Sequence, residues 1–444
     1  MINRLKNFEL NPPRVLALGF ASLIIIGTFL LNLPIATVNN ESIGIIDALF
    51  TAASAVCVTG LVVVNTAEFF SAFGQVIIII LIQIGGLGFM TMATLGALVV
   101  GKKISLKERL VIKEQLNLGS LAGLVKLTKY VIIVTFVIEA IGTLLLSTRF
   151  IPIYGVKEGL WFAMFHSISA YCNAGFDILG NSFMPYANDI TINLTLSALI
   201  ILGGLGFSVY VDISKNRKFE RFQLHTKLVI WISTILILIG MIIFLVIEWN
   251  NPSTIGNLSF SHKILPAFFQ SVVTRTAGFN SLDISLIKDT SAFLFIIFMF
   301  IGGSPGSTAG GIKTTTFGAI ALTTISIIKG DKDVVAFKKR IPDNVINRSL
   351  AIVSVAMALI IMVSFVLTVT EDAAFLEVLF ETTSAFATVG LSRGITGDLT
   401  DIGKIIITLT MYAGRVGPLT MAFAFAQKSK HTKLRYAEGN VIVG

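Results

Sequence analysis

The chain is 444 residues long, 54% hydrophobic and only 13% charged, with a formal net charge of +9. Ordinary globular proteins are about 45–50% apolar and about 25% charged, so a plain soluble enzyme is excluded. Its two cysteines are too few for a disulfide framework or a cysteine zinc site.

In chain order, the windows 15–33, 75–101, 190–211, 228–247, 290–312 and 349–370 carry no charge. Each approaches or exceeds the roughly 18–20 residues that cross a bilayer's hydrocarbon. Two further spans hold one charged residue each, 130–148 with Glu139 and 405–427 with Arg415. Eight crossings are therefore expected. The first follows Arg4, Lys6 and Arg14 and imitates a signal peptide, but it is long for one and no small-residue cleavage pattern follows. It reads as a retained helix.

The location of the charge decides what the +9 means. With eight crossings, one side receives 25 of the 34 basic residues against 9 acidic ones, and the other receives 6 basic against 15 acidic. This asymmetry argues for a membrane and against nucleic acid, and by the positive-inside rule it places both termini in the cytoplasm. An acidic outer face also concentrates cations at whatever opening lies beneath it.

Between successive pairs of crossings lie shorter apolar pieces at 45–56, 159–171, 263–273 and 374–386. At about 1.5 Å per residue they reach only half a membrane and read as re-entrant helices. Each ends just before a glycine: Val58-Thr59-Gly60, Asn173-Ala174-Gly175, Thr276-Ala277-Gly278 and Thr388-Val389-Gly390. These glycines are 115, 103 and 112 residues apart. In three copies a Ser-Ala pair stands six and five positions ahead (Ser54-Ala55, Ser169-Ala170, Ser384-Ala385), and in the third it is Val272-Val273. A second glycine cluster recurs inside each following span, at Gly85-Gly86-Leu87-Gly88, Gly203-Gly204-Leu205-Gly206, Gly302-Gly303-Ser304-Pro305-Gly306 and Gly414-Arg415-Val416-Gly417-Pro418. Four repeats follow, with boundaries at 1–101, 102–213, 214–328 and 329–444.

Non-helical backbone at membrane depth survives only where protein or a water-filled cavity surrounds it. Four copies about one axis would supply that cavity. Their carbonyl oxygens would replace the hydration shell of a cation, and the negative C-terminal ends of four re-entrant helices would add a favourable field. The potassium-channel signature TVGYG uses two glycines for this. Here the position two after each glycine is Val62, Asp177, Asn280 or Ser392. Fewer strong ion sites and weaker rejection of sodium are expected.

In these units the chain resembles the membrane subunit of the Trk/Ktr/HKT superfamily of potassium transporters, most of all the bacterial Ktr type, over essentially its whole length. The resemblance implies an all-α integral membrane protein with four tandem helix–pore-helix–helix repeats in pseudo-fourfold arrangement about one pore. It implies potassium uptake across the plasma membrane, with potassium bound by the backbone carbonyls of the four glycine segments. Gly60, Gly175, Gly278 and Gly390 would be the filter glycines. It also implies a homodimer carrying a cytosolic ring of nucleotide-binding regulatory subunits, and sodium is a candidate modulator. No motif for nucleotide hydrolysis or dinucleotide binding is found on the chain itself.

The stretch 302–314 packs Gly302, Gly303, Gly306, Gly310 and Gly311 with Pro305, which no comfortable helix contains. Gly306, Gly311 and Lys313-Thr314 imitate a phosphate-binding loop, but the extra Ile312 breaks its spacing. The resemblance implies a gating loop below the filter. Lys313 and Arg415 lie at membrane depth, where an ionisable group costs roughly 2.5–3.5 kcal/mol unless it faces polar surroundings. Either they form the gate with the loop, the arginine repelling a passing cation, or they are satisfied by carbonyls and hold repeats together.

Other residues carry lesser expectations. Arg275 is expected to brace the filter from behind, through carbonyls or a carboxylate such as Glu381. His166 reads as a buried, hydrogen-bonded histidine, Cys57 and Cys172 as small packing residues, and Glu139 as either a partner of a polar neighbour or a packing contact. The basic inner stretches 102–113, 215–221 and 332–340 suit docking of a cytosolic subunit or contact with anionic lipid. Two alternatives remain: a sodium-coupled symporter or sodium-permeable cation transporter, and an integral-membrane enzyme. The first predicts inverted repeats, whereas these units share one orientation. The second needs clustered acids, histidines or nucleophiles at one depth.

Overall fold

The computed structural model describes residues 12–99, 104–115, 124–417, 420–421, 439 and 442. Arg4, Lys6, Lys102, Lys103, Pro418 and the expected end of the last span at Gln427 lie outside the described residues.

Among the described residues, four helices are long and apolar enough to cross a bilayer unaided: Pro12–Leu31, Leu124–Tyr171, Leu224–Glu248 and Asp343–Thr370. Lipid offers the backbone no hydrogen bonds, so a helix that pairs every peptide internally is the favoured form of such a sequence. Each leaves large apolar side chains exposed, among them Phe29, Leu144, Val246 and Val369, the last 76% exposed. A soluble fold would bury these side chains, whereas a lipid-facing one leaves them outside. The family of helices is that of a multi-pass membrane protein.

The other expected crossings are interrupted, and the interruptions fall at the second glycine cluster. The span expected at 75–101 is two helices, Ala72–Leu87 and Phe89–Val99, bent by 96°. The one expected at 190–211 is Ile190–Leu205 and Phe207–Asn216, bent by 92°. The breaks are Gly88 and Gly206, with φ of +82° and +92°, a region glycine enters without Cβ strain. The span expected at 290–312 stops after Asp289–Phe300, and a loop leads to a further helix, Thr314–Lys329. The span expected at 405–427 contains the helix Asp401–Val416, with Arg415 in its final turn. By length and apolarity, the described residues give four spans, or six when each bent pair counts as one.

Short helices occupy the expected places: Ile45–Cys57, Phe260–Val273 and Phe375–Ala387. The remaining one, expected at 159–171, is the end of Leu124–Tyr171 beyond a break at Gly155 (φ +80°). Packing between elements closes on itself. Ala72–Leu87 touches Leu124–Tyr171, Ile190–Leu205 touches Phe260–Val273, Asp289–Phe300 touches Phe375–Ala387, and Asp401–Val416 returns to Ile45–Cys57. An ion pair at 2.7 Å between Lys404 and Asp47 fastens that last junction. Below, a two-stranded hairpin, Val335–Ala336 with Lys339–Arg340, lies between Thr314–Lys329 and Asp343–Thr370.

Candidate functional site

Each short helix ends in the same backbone pattern. Val58, Asn173, Thr276 and Thr388 have positive φ (58°, 59°, 76° and 52°), and so do the glycines two residues on, Gly60, Gly175, Gly278 and Gly390 (92°, 69°, 73° and 89°). A β-branched residue at positive φ is costly and persists only when its surroundings enforce it. The surroundings here are the other three segments. A Cβ placed on Gly60 would stand 2.5 Å from the Ala174 carbonyl oxygen, one on Gly175 2.8 Å from that of Ala277, and one on Gly278 2.5 Å from that of Val389. One on Gly390 would overlap the carbonyl oxygen of Thr59. The order 60, 175, 278, 390 and back to 60 is a closed ring of glycines and carbonyls.

The helices beneath brace this ring. Ser54 Oγ accepts the Gly60 N–H at 3.1 Å, and Ser384 Oγ accepts that of Gly390 at 3.0 Å. Ser169 instead donates to the Phe176 carbonyl at 2.8 Å. The recurrent serine therefore has a structural reason. Lacking it, the third segment leans on its neighbour, with the Asn280 N–H donating to Ser182 Oγ at 2.9 Å and its carbonyl accepting from Phe183 at 2.8 Å. Asn173 and Thr276 are hydrogen-bonded through their side chains at 3.2 Å, one step below the glycines.

On one side of the ring opens a cavity of about 440 Å³ lined by all four glycines with Asp177 and Asn280. On the other, a cavity of about 450 Å³ is lined by Gln115, Ser307, Lys313, Arg348 and Arg415. The loop 301–313 stands between them. Its Ser304 and Thr308 N–H groups donate to the carbonyls of Gly204 and Gly203 at 2.9 and 3.2 Å, and its Gly306 carbonyl accepts from Phe207 at 2.9 Å. The Thr308 hydroxyl donates to the Tyr171 carbonyl at 3.1 Å, at the end of the second short helix. Gly310 lies against the Thr388 hydroxyl, leaving no room for a side chain. Gly302 and Gly303 pair across the loop's base, Gly302 N–H with the Ile312 carbonyl at 2.9 Å and Gly303 carbonyl with Thr314 N–H at 3.0 Å. Gly311 completes the turn at φ +64°.

Lys313 and Arg415 both reach this loop. Lys313 Nζ donates to the Ala309 carbonyl at 2.7 Å. Arg415 donates to the Thr308 carbonyl and, from its other terminal nitrogen, to those of Gly85 at 2.5 Å and Gly86 at 3.0 Å. Its guanidinium thus ties the first glycine cluster to the loop through main-chain oxygens.

Arg275 also turns to carbonyls, those of Ser233 and Gly302 at 3.5 and 3.4 Å. Glu381 is not its partner. That carboxylate accepts from Ser392 at 2.7 Å and Thr396 at 2.6 Å, holding the segment after Gly390. His166 is buried, with Nδ1 2.7 Å from the Phe162 carbonyl and Nε2 accepting from the Ile178 N–H at 3.3 Å. Cys57 and Cys172 are buried and unbridged, and Cys172 fills the space beside Gly86. Glu139 is buried near Cys172, while its carbonyl accepts from Ser167 at 2.7 Å. Sequence reasoning missed Thr308 and Gln115. A lone threonine among small residues and a polar residue in a short helix carry no pattern of their own.

The family described as "TrkH: Cation transport protein" matches residues 18–434. The chain belongs to the TrkH cation transport family. It is 45% identical over 440 residues to the Ktr system potassium uptake protein B of Bacillus subtilis (strain 168), covering 99% of this chain and 98% of that one. It is 41% identical to the potassium/sodium uptake protein NtpJ of Enterococcus hirae, with 98% of each chain covered. The fold is similar to the crystal structure of the potassium transporter TrkH from Vibrio parahaemolyticus, with a TM-score of 0.71 at 19% identity over 95% of this chain and 86% of that one. A transport family fits a site made of main-chain oxygens. The family is not an enzyme class.

Proposed function

We propose that the chain is a potassium uptake subunit of the Ktr type whose ions pass through the ring of glycines. The observation that carries this is the cyclic approach of the Thr59, Ala174, Ala277 and Val389 carbonyls to the four glycines. Preorganised carbonyl dipoles replace a cation's hydration shell without the cost of building a new one for each ion. An inside-negative potential worth about 2.3 kcal/mol per charge per 100 mV drives the ion inward. The Ktr names of its relatives support potassium as the cargo. Eight crossings in four repeats, with both termini cytoplasmic in the plasma membrane, fit the closed packing of elements and the charge asymmetry. The loop 301–313, with Arg415 across it, forms the barrier.

Partners follow the same reading. "Ktr system" names a multi-component assembly in the relatives, and a homodimer docked on a cytosolic nucleotide-binding ring accounts for the exposed Lys215, Arg217, Lys218 and Arg221 and for Lys338–Arg340 on the hairpin. Anionic lipid is the other partner that such basic stretches accept. Sodium permeates as well, a reading favoured by the missing second glycine at Val62, Asp177, Asn280 and Ser392.

The test is potassium uptake in cells stripped of their own transporters, comparing the intact chain with Gly278→Ser. The side chain added there meets the Val389 carbonyl, so uptake at low potassium is expected to fall at least tenfold while the protein still reaches the membrane. Unchanged potassium dependence removes the ring from the ion's path.

A further inference from the structure

The bend at Gly88 is held by a side chain from the cytosolic side. Gln115 closes the helix Leu106–Gln115 and spans the break with its amide: Oε1 accepts the Met90 N–H at 3.1 Å, and Nε2 donates to the Leu87 carbonyl and to Thr91 Oγ1, both at 3.0 Å. It lies so close that a Cβ on Gly88 would overlap it. A helix broken at 96° strands N–H and C=O groups that must find partners. The corresponding bend at Gly206 is satisfied differently, by the Gly306 carbonyl of the loop accepting from Phe207. Thus one bend is capped by the loop and the other by a helix on the cytosolic face. Arg415 connects them, gripping Gly85 and Gly86 just before the first bend and Thr308 in the loop.

We infer that Gln115 is a positioning residue for the barrier: by fixing the bend at Gly88 it sets the carbonyls on which Arg415 is anchored, and so ties the position of the helix Leu106–Gln115 to the closed arrangement of the loop. The inference rests on the reading of Arg415 and the loop as the barrier. The helix packs its Val111 and Ile112 with Leu16 and Leu87, and a partner that shifts it from the cytosol pulls the amide off the bend. Freed of that cap, the Leu87 carbonyl and Met90 N–H seek other partners, and the nearby carbonyls of Gly85 and Gly86 lose their fixed direction.

The experiment uses the full-length chain in proteoliposomes without any partner and follows potassium efflux. Gln115→Leu keeps the volume and removes all three hydrogen bonds. It is expected to raise basal flux about tenfold, Arg415→Gln is expected to raise it at least as much, and the double variant is expected to match Arg415→Gln alone. If Arg415→Gln raises flux and Gln115→Leu does not, the inference falls and the barrier stands. If the two increases multiply, Gln115 acts elsewhere and the inference also falls. If Arg415→Gln leaves flux unchanged, the barrier reading itself fails. Should the leucine variant not fold, Gln115→Glu, which keeps the acceptor for Met90 but not the donor to Leu87 and Thr91, is scored by the same comparisons with a smaller expected rise.

Discussion

At Gly390 the α-carbon lies against the Thr59 carbonyl oxygen, and three equivalent approaches complete the circle. What the glycines contribute is therefore absence of volume as much as conformational freedom, since a methyl group at any of them displaces a main-chain oxygen. The serines below have a different task. Ser384, itself buried, accepts the Gly390 N–H, and leaving a buried donor unpaired costs about 1–3 kcal/mol. Ser384→Ala is expected to lower thermal stability by about that amount and to weaken preference for potassium over sodium. Competitive uptake of the two ions, alongside a melting curve in detergent, checks both. The same change at Val272, where no hydroxyl exists, has no such effect to give. Serine spacing was legible in the sequence at three of the four copies, whereas the partner of each hydroxyl was not, because Ser169 donates where Ser54 and Ser384 accept. Glu381 shows the same limit: its charge and depth were legible, but it turns to Ser392 and Thr396 of its own segment and not to Arg275.

Short apolar helices were readable as elements because length alone separates half a membrane from a whole one. The bends were not, since charge-free runs such as 190–211 look the same whether straight or broken. Their glycines were noticed as a repeat, but a membrane helix also uses glycine for close packing, and only the positive φ at Gly88 and Gly206 distinguishes a break. Gly88→Ala tests this at the level of the element. It forces a side chain into an unfavourable φ and into the amide of Gln115. A loss of about 1–3 kcal/mol in stability is expected, and a thermal melt that does not move would show the bend to be relaxed by other means. Gly203→Ala acts on close packing beneath the Tyr171 carbonyl and does not substitute for it as a test.

Across the whole molecule, the first and last segments must meet for the ring to close. Asp401–Val416 packs on Ile45–Cys57, and Lys404 bonds Asp47 with both side chains largely shielded, at 12% and 27% exposure. A double-mutant cycle of Lys404→Met and Asp47→Ala is expected to show a coupling of about 1 kcal/mol in stability, and a null coupling would leave closure to apolar packing alone. The sequence by itself determined the membrane class, the four short helices and the glycine that ends each one. All of these are properties of local composition, and a bilayer selects on local composition. Tertiary structure decided which carbonyl faces which glycine, where the inner helices bend, and that Arg415 holds Gly85, Gly86 and Thr308. Those contacts join residues more than a hundred positions apart through main-chain atoms, which are chemically the same at every residue and so leave no mark in the sequence.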